Sequence, residues 1–166
     1  METVTAIEVR KARQSKVQEV DFSALEFGRY VSDHMLVCDY DHGEWQQPLI
    51  VPFANLSLSP ATLALHYGQT VFEGMKAFRM SPDAGAAEGK VNIFRMERHY
   101  DRFARSLDRM CMAVPPAEIF TEGLMKLVEL EKAWVPKEPG AALYLRPFVY
   151  ASEAKFGVKI SEQCRF

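Results

Sequence analysis

The sequence is poor in the patterns that most often announce a chemistry. Its three cysteines, Cys38, Cys111 and Cys164, lie far apart in no paired spacing, which argues against a zinc site and a disulfide framework. The four histidines, His34, His42, His66 and His99, are as scattered, and none stands at metal-ligand spacing with a helper carboxylate, so no metal is expected. No apolar run approaches the length that spans a bilayer, and the start of the chain is polar and charged through Gln18, with no apolar signal core. Cytoplasmic residence is the expectation. A formal net charge of −2 gives no reason for nucleic acid or an anionic membrane as partner. Also missing are a Gly-x-Ser-x-Gly elbow, a Walker-type phosphate loop and a dinucleotide fingerprint. Nine lysines are present, but none sits in an apolar run that would desolvate its ammonium; Lys76, between Met75 and Ala77, comes nearest and reads as a strand lysine reaching water.

What is there fits an ordinary soluble domain. At 166 residues the chain has room for one domain, or one domain and part of the next. Residues 1–20 mix charge with isolated Val and Ile and read as a flexible arm; residues 21–166 read as one small α+β domain. Tyr30 to Tyr40 and Pro48 to Phe53 read as extended segments around an Asp41-His42-Gly43 turn. Met75 to Arg79 and Val91 to Phe94 read as paired strands, joined by a Ser81–Lys90 surface loop. Tyr67 to Phe72 is ambiguous between glycines. Helices are expected from Arg98 to Met112, with Phe103, Leu107 and Met110 on one face, and from about Pro116 to Trp134. Ala141 to Ala151 is nearly all apolar and reads as one buried strand, although Pro147 sits awkwardly in a central position.

Within that last strand Arg146 is the odd residue. Alternation puts Tyr144 and Arg146 on one side, and a guanidinium on a buried strand needs an anion, since an unpaired buried charge costs several kcal/mol in order of magnitude. The anion is either a core carboxylate or the carboxylate of a ligand. Arg102, on the polar face of its helix beside Arg98 and Arg105, is solvated or a phosphate ligand. Tyr67 and Phe72, bracketed by Gly68 and Gly74, are core or the walls of a ligand pocket, and Phe27-Gly28 repeats the aromatic-plus-glycine theme.

The order of these motifs is more specific than any one of them. His66-Tyr67-Gly68 through Phe72-Glu73-Gly74, then Phe94-Arg95 with Arg102, then Tyr144-Leu145-Arg146-Pro147, resembles the branched-chain amino acid aminotransferases, pyridoxal-phosphate enzymes of fold type IV. Phe27-Gly28, Asp33-His34-Met35, Trp45 to Pro52, Asn55-Leu56, Lys76-Ala77-Phe78 and Trp134-Val135-Pro136 extend the likeness over roughly Phe27 to Val158. The resemblance implies the small N-terminal domain of that fold, an antiparallel sheet flanked by two helices. It implies that Arg102 binds the phosphate of pyridoxal phosphate, and that Phe27, Tyr67 and Phe72 wall the pocket for a branched side chain. Tyr144 and Arg146 would lie near the substrate carboxylate, and Phe156 and Val158 would reach the active site of a neighbouring subunit in a homodimer.

The resemblance also implies an absence. The Schiff-base lysine and the acid at the pyridine nitrogen belong to a second domain expected beyond Phe166, so no catalytic residue is assigned, and the small domain itself is expected to stop before its final strand. The intact enzyme would exchange amino groups between leucine, isoleucine or valine and 2-oxo acids such as 2-oxoglutarate, and this chain alone would be inactive. A D-amino acid transaminase or an aminodeoxychorismate lyase shares the fold and is the rival within the family. A non-enzymatic module that acts by association with full-length subunits is the rival outside it, and cleavage from a longer protein would give the same chain.

Overall fold

The computed structural model describes residues 6–80 and 89–166. The Ser81–Lys90 loop therefore lies almost wholly outside the described residues. Among those described, eleven strands and three α-helices form an α+β domain, as expected. The strands are β1 (Glu8–Val9), β2 (His34–Val37), β3 (Asp39–Asp41), β4 (Glu44–Trp45), β5 (Leu49–Pro52), β6 (Thr70–Phe72), β7 (Met75–Arg79), β8 (Val91–Ile93), β9 (Leu143–Leu145), β10 (Phe148–Ala151) and β11 (Cys164–Arg165). The helices are α1 (Leu63–Tyr67), α2 (Met96–Arg109) and α3 (Ala117–Leu130). Three sheets result, ordered β1-β5-β2, β4-β3-β11-β10-β6 and β8-β7-β9. The pairings of these strands are antiparallel except that of β1 with β5.

Two expected continuous strands are each broken in two. The Tyr30–Tyr40 segment divides at Cys38, whose N–H and carbonyl both bond to Phe166, so β2 pairs with β5 while β3 turns into the next sheet. The Ala141–Ala151 segment divides at Arg146-Pro147, because proline has no N–H to continue a ladder. Its first half pairs with β7 and its second half with β6 and β11. Tyr67 to Phe72 resolves as the end of α1, a left-handed Gly68 with φ 64°, and β6. The chain's last residues form β11, between β3 and β10.

The flexible arm expected over residues 1–20 is docked from Ile7 onward. Lys126 Nζ donates to the Ile7 carbonyl at 2.8 Å, and Arg10 N–H donates to Ile50 O at 2.8 Å as β1 joins the sheet edge. Further along, Ser15 Oγ and Lys16 N–H donate to the two oxygens of Asp33, at 2.6 and 2.9 Å. A string of charged residues hid this docking, because it runs through backbone groups and one buried hub rather than an apolar face.

The core lies between the helices and the sheets. α2 buries Phe103 and Leu107, α3 buries Ile119, Phe120, Leu124 and Val128, and they meet Val71, Met75, Ala77, Val91, Ile93 and Val149 from the strands. Each of these larger side chains contributes roughly 1.5–3 kcal/mol by leaving water. Phe120 packs against Phe103 and Phe166 with ring centroids 5.6 and 6.1 Å apart. α2 ends where Met110 and Cys111 turn out of the helix, Cys111 with φ 53° and Met112 N–H closing back onto Leu107 O. Met110, expected on the buried face, is thereby exposed, and Met112 takes its place in the core.

Candidate functional site

β6 and β7 are two parts of one extended run that bends at Glu73-Gly74, and β9 and β10 bend beside it at Arg146-Pro147. The pairings Phe72↔Phe148 and Met75↔Leu145 share one register, so Glu73 and Gly74 face Pro147 and Arg146 across the bend with no residue inserted. Glu73 N–H donates to Pro147 O at 2.9 Å inside the bend. Side chains alternate through it. Val71, Glu73, Met75, Leu145, Pro147 and Val149 are buried, while Phe72, Lys76, Arg146 and Phe148 are exposed.

The outer face gathers four of the residues expected to bind substrate. Arg146 lies with its guanidinium carbon 4.9 Å from the Phe72 ring centre and 5.3 Å from that of Tyr144, and its Nη2 donates to the Tyr144 hydroxyl at 3.2 Å. Phe27, beside the left-handed Gly28, stands edge-on to Tyr144 at 5.2 Å. The expectation that Arg146 is buried is corrected: it is exposed at the bend, and of the two anions left open by the sequence no core carboxylate meets it among the described residues, where its contacts are aromatic rings and a hydroxyl. Pro147 is the physical reason, since it ends β9 and turns Arg146 outward. The arrangement is a shallow aromatic platform with one cation on it, which can grip a small carboxylate and cover an apolar side chain.

The remaining candidates stand apart from the platform. Tyr67 and Phe156 both neighbour His66, at ring distances of 6.3 and 5.6 Å. Phe156 is 75% exposed and Val158 90%, on the loop between β10 and β11. Phe156 has the His66 ring as an edge-on neighbour, and most of its surface and that of Val158 stays open among the described residues.

Arg102 occupies the other side of the bend. Its Nε donates to Glu73 Oε2 at 2.6 Å and its Nη2 to Glu73 Oε1, a two-point grip on a carboxylate that is itself only 4% exposed. Gly74 N–H donates to the same Oε1 at 2.7 Å, and His99 Nδ1 lies 3.4 Å from it. Burial acts to raise the Glu73 carboxyl, but the Arg102 and Gly74 donors, the Arg102 charge and His99 together outweigh it and hold the group below the ordinary glutamate value. The grip leaves both Nη1 protons of Arg102 free and one on Nη2, which lies 3.5 Å from His99 Nδ1, on a side chain 61% exposed. That free edge is a fitting donor pair for a phosphate, and the planar rings across the bend fit a flat aromatic cofactor. Glu73 was not singled out from the sequence. The signal was there in the alternation of Val71, Glu73 and Met75, which puts a carboxylate in an apolar row and obliges a cation to meet it.

No protein-family model matches the chain. Curated relatives do. It is 46% identical over 150 residues to "Branched-chain-amino-acid transaminase 1" of Bacillus subtilis, covering 90% of this chain and 40% of that protein. It is 39% identical over 142 residues to the "Branched-chain-amino-acid aminotransferase" of Mycobacterium tuberculosis, covering 84% and 37%. The chain is thus similar to branched-chain aminotransferases. It spans about 40% of the length of these relatives, at their N-terminal portion. The solved structure of the T.th. branched-chain amino acid aminotransferase, complexed with N-(5'-phosphopyridoxyl)-L-glutamate, matches with TM-score 0.55 at 23% identity, covering 80% of this chain and 40% of that one. The enzyme of Thermoproteus uzoniensis matches with TM-score 0.54 at 21% identity, covering 80% and 39%. These structural likenesses show that the chain shares their fold.

Proposed function

We propose that the protein carrying this chain transfers the amino group of leucine, isoleucine or valine to 2-oxoglutarate with pyridoxal phosphate as cofactor. The observation that carries the reading is the paired bend, which presents an arginine edge on one side and an arginine-and-aromatic platform on the other. In this reading the Arg102 edge takes the cofactor phosphate, and Arg146, steadied by Tyr144, takes the substrate carboxylate. Phe27 and Phe72, with Tyr67, cover the branched side chain and exclude water from it. When bound, the cofactor supplies an aldehyde and an electron-withdrawing ring, which allow an amino group and an α-proton to be moved.

The residues of this chain bind and orient, and none of them moves the proton. Eight of the nine lysines are exposed, and the half-buried Lys159 is held protonated by Glu153 and Glu162. The family resemblance implies that the cofactor-bearing lysine belongs to a second domain, so the chain alone is expected to stay colourless with one equivalent of pyridoxal phosphate. A cytoplasmic homodimer, with Phe156 and Val158 covered by the partner, accounts for their exposure.

The test is turnover by the full-length protein of leucine with 2-oxoglutarate, read as glutamate formed, beside D-alanine as competing donor. Preference for D-alanine would give the D-amino acid transaminase reading, and no turnover of either would favour an association module. Arg146→Met is expected to raise KM for leucine at least tenfold, about the size of a lost charge-assisted contact, while the bound-cofactor colour persists. Parent-like KM would end the carboxylate role.

A further inference from the structure

A solvent-exposed arginine side chain samples many rotamers, and fixing it on a ligand costs conformational entropy. Arg102 has been fixed already. Its Nε–Nη2 edge is engaged by a buried carboxylate, and that carboxylate is fastened to the backbone by the Gly74 N–H and by the Glu73 N–H bond to Pro147 O. We propose that Glu73 is a positioning residue for the cofactor, holding Arg102 so that its Nη1–Nη2 edge faces the phosphate. This inference rests on the reading of Arg102 as the phosphate ligand.

Two effects of Glu73 oppose each other. Its negative charge, next to the guanidinium, weakens the attraction of the site for an anion. Its grip removes the freedom of the side chain and directs the remaining donors. If charge attraction ruled the site, removal of the carboxylate would tighten phosphate binding. If placement of donors rules it, removal loosens phosphate binding, and the bidentate geometry favours that sign. Placement also ties the two anchors together: Glu73 belongs to the bend that carries Gly74 and faces Arg146 and Pro147, so phosphate and carboxylate sites share one rigid frame.

The experiment uses the full-length protein, stripped of cofactor, and compares dissociation constants for pyridoxal 5'-phosphate and for pyridoxal, which has the same ring and aldehyde without the phosphate. The dissociation constant for pyridoxal divided by that for pyridoxal 5'-phosphate reads the phosphate contact alone. Glu73→Gln is expected to lower the ratio by about tenfold, the scale of one charge-assisted hydrogen bond, with pyridoxal binding within about twofold of the parent. In an Arg102→Ala background the same change is expected to do nothing further. A ratio unchanged or raised by Glu73→Gln overturns the inference, as does an equal loss for both ligands, which would mark a purely structural pair. An additional fall in the Arg102→Ala background also overturns it. If Arg102→Ala itself leaves the ratio untouched, the phosphate reading fails first, so the two failures are told apart. Glu73→Asp, too short to span both nitrogens, repeats the test if the glutamine variant does not fold. The Arg102 Nε–H resonance of the unaltered apoprotein completes it: protection from solvent exchange is expected, and rapid exchange overturns the proposal.

Discussion

Gly74 lies beneath the Tyr144 side chain, and a Cβ added there would meet the Tyr144 hydroxyl oxygen at 2.5 Å and Cζ at 3.2 Å. A methyl group therefore pushes the hydroxyl away from the Arg146 Nη2 that it accepts from. Gly74→Ala is expected to cost about 1–2 kcal/mol in stability through overpacking, and to raise KM for the amino acid several-fold in the full-length enzyme. Urea unfolding and steady-state kinetics check the two parts; parent-like values in both would mean the ring has another place to go. The cysteines give a second prediction at this scale. Burial, helped by the Asp39 charge, pushes the Cys38 thiol up to about 12, and burial pushes Cys164 up as well, while Cys111 is exposed at the end of α2. The thiolate is the reactive form. Iodoacetamide at pH 8 is expected to label Cys111 and to spare Cys38 and Cys164 until denaturant is added, which peptide mapping reads directly. Labelling of Cys38 in the native protein would show that the β2–β3 junction opens.

Among the elements, the docked N-terminal segment is the most easily probed. Its hub is His34, whose Nε2 accepts from Ala12 N–H at 2.8 Å, so the ring proton sits on Nδ1 and points at Glu131. Glu131 also accepts from Asp33 N–H at 2.8 Å, and Asp33 in turn accepts from Ser15, Lys16 and Trp134. Glu131→Ala strands buried donors and is expected to cost about 3 kcal/mol. Proteolysis within residues 7–16 should accelerate accordingly, and an unaltered cleavage rate would mean that β1 alone holds the segment. Acid should act at the same place. Burial works to raise the Asp33 carboxyl, but its donors Ser15, Lys16 and Trp134 outweigh that and hold it low. A carboxyl depressed in the fold contributes stability above its ordinary value, and loses it as pH falls through its value in the fold. Hydrogen exchange in residues 7–16 is therefore expected to quicken below about pH 3.9, the ordinary aspartate value.

Elements with a strong local signal were legible in the sequence. α2 and α3 show their apolar faces at helical spacing, prolines bound them, and β7 and β8 pair as expected. The places that escaped are those where a strand changes sheets, at Cys38 and at Arg146-Pro147. Alternation continues through such a junction; Pro147 marks one of the two in the sequence, while the change of pairing partner at Cys38 leaves no mark in composition. At the site, strand alternation and the aromatic-plus-glycine pattern single out the aromatic residues and both arginines and the family resemblance suggests their roles, whereas Glu73 is visible only once its position in an apolar row is set against Arg102.

Taken whole, the molecule leaves much apolar surface open. Phe27, Phe53, Tyr67, Phe72, Phe94, Phe148, Phe156 and Val158 are all exposed. Scattered exposed apolar residues are ordinary, but rings gathered around one bend form a patch that other protein usually covers. The 166-residue span produced alone is expected to bind the dye ANS more strongly than the full-length protein and to self-associate at high concentration. Dye fluorescence and sedimentation measure this, and equal dye binding by the two proteins would mean that the patch stays open in the larger one.

The unbroken register across the bend makes the two sides of this site interchangeable by a single slip. Inserting one residue between Gly68 and Val71 would carry Glu73 to the outer face and turn Phe72 inward, since each step along a strand reverses the side. The same frame would then set a carboxylate on the face that carries the Arg146 guanidinium, and would repel the substrate carboxylate proposed for it.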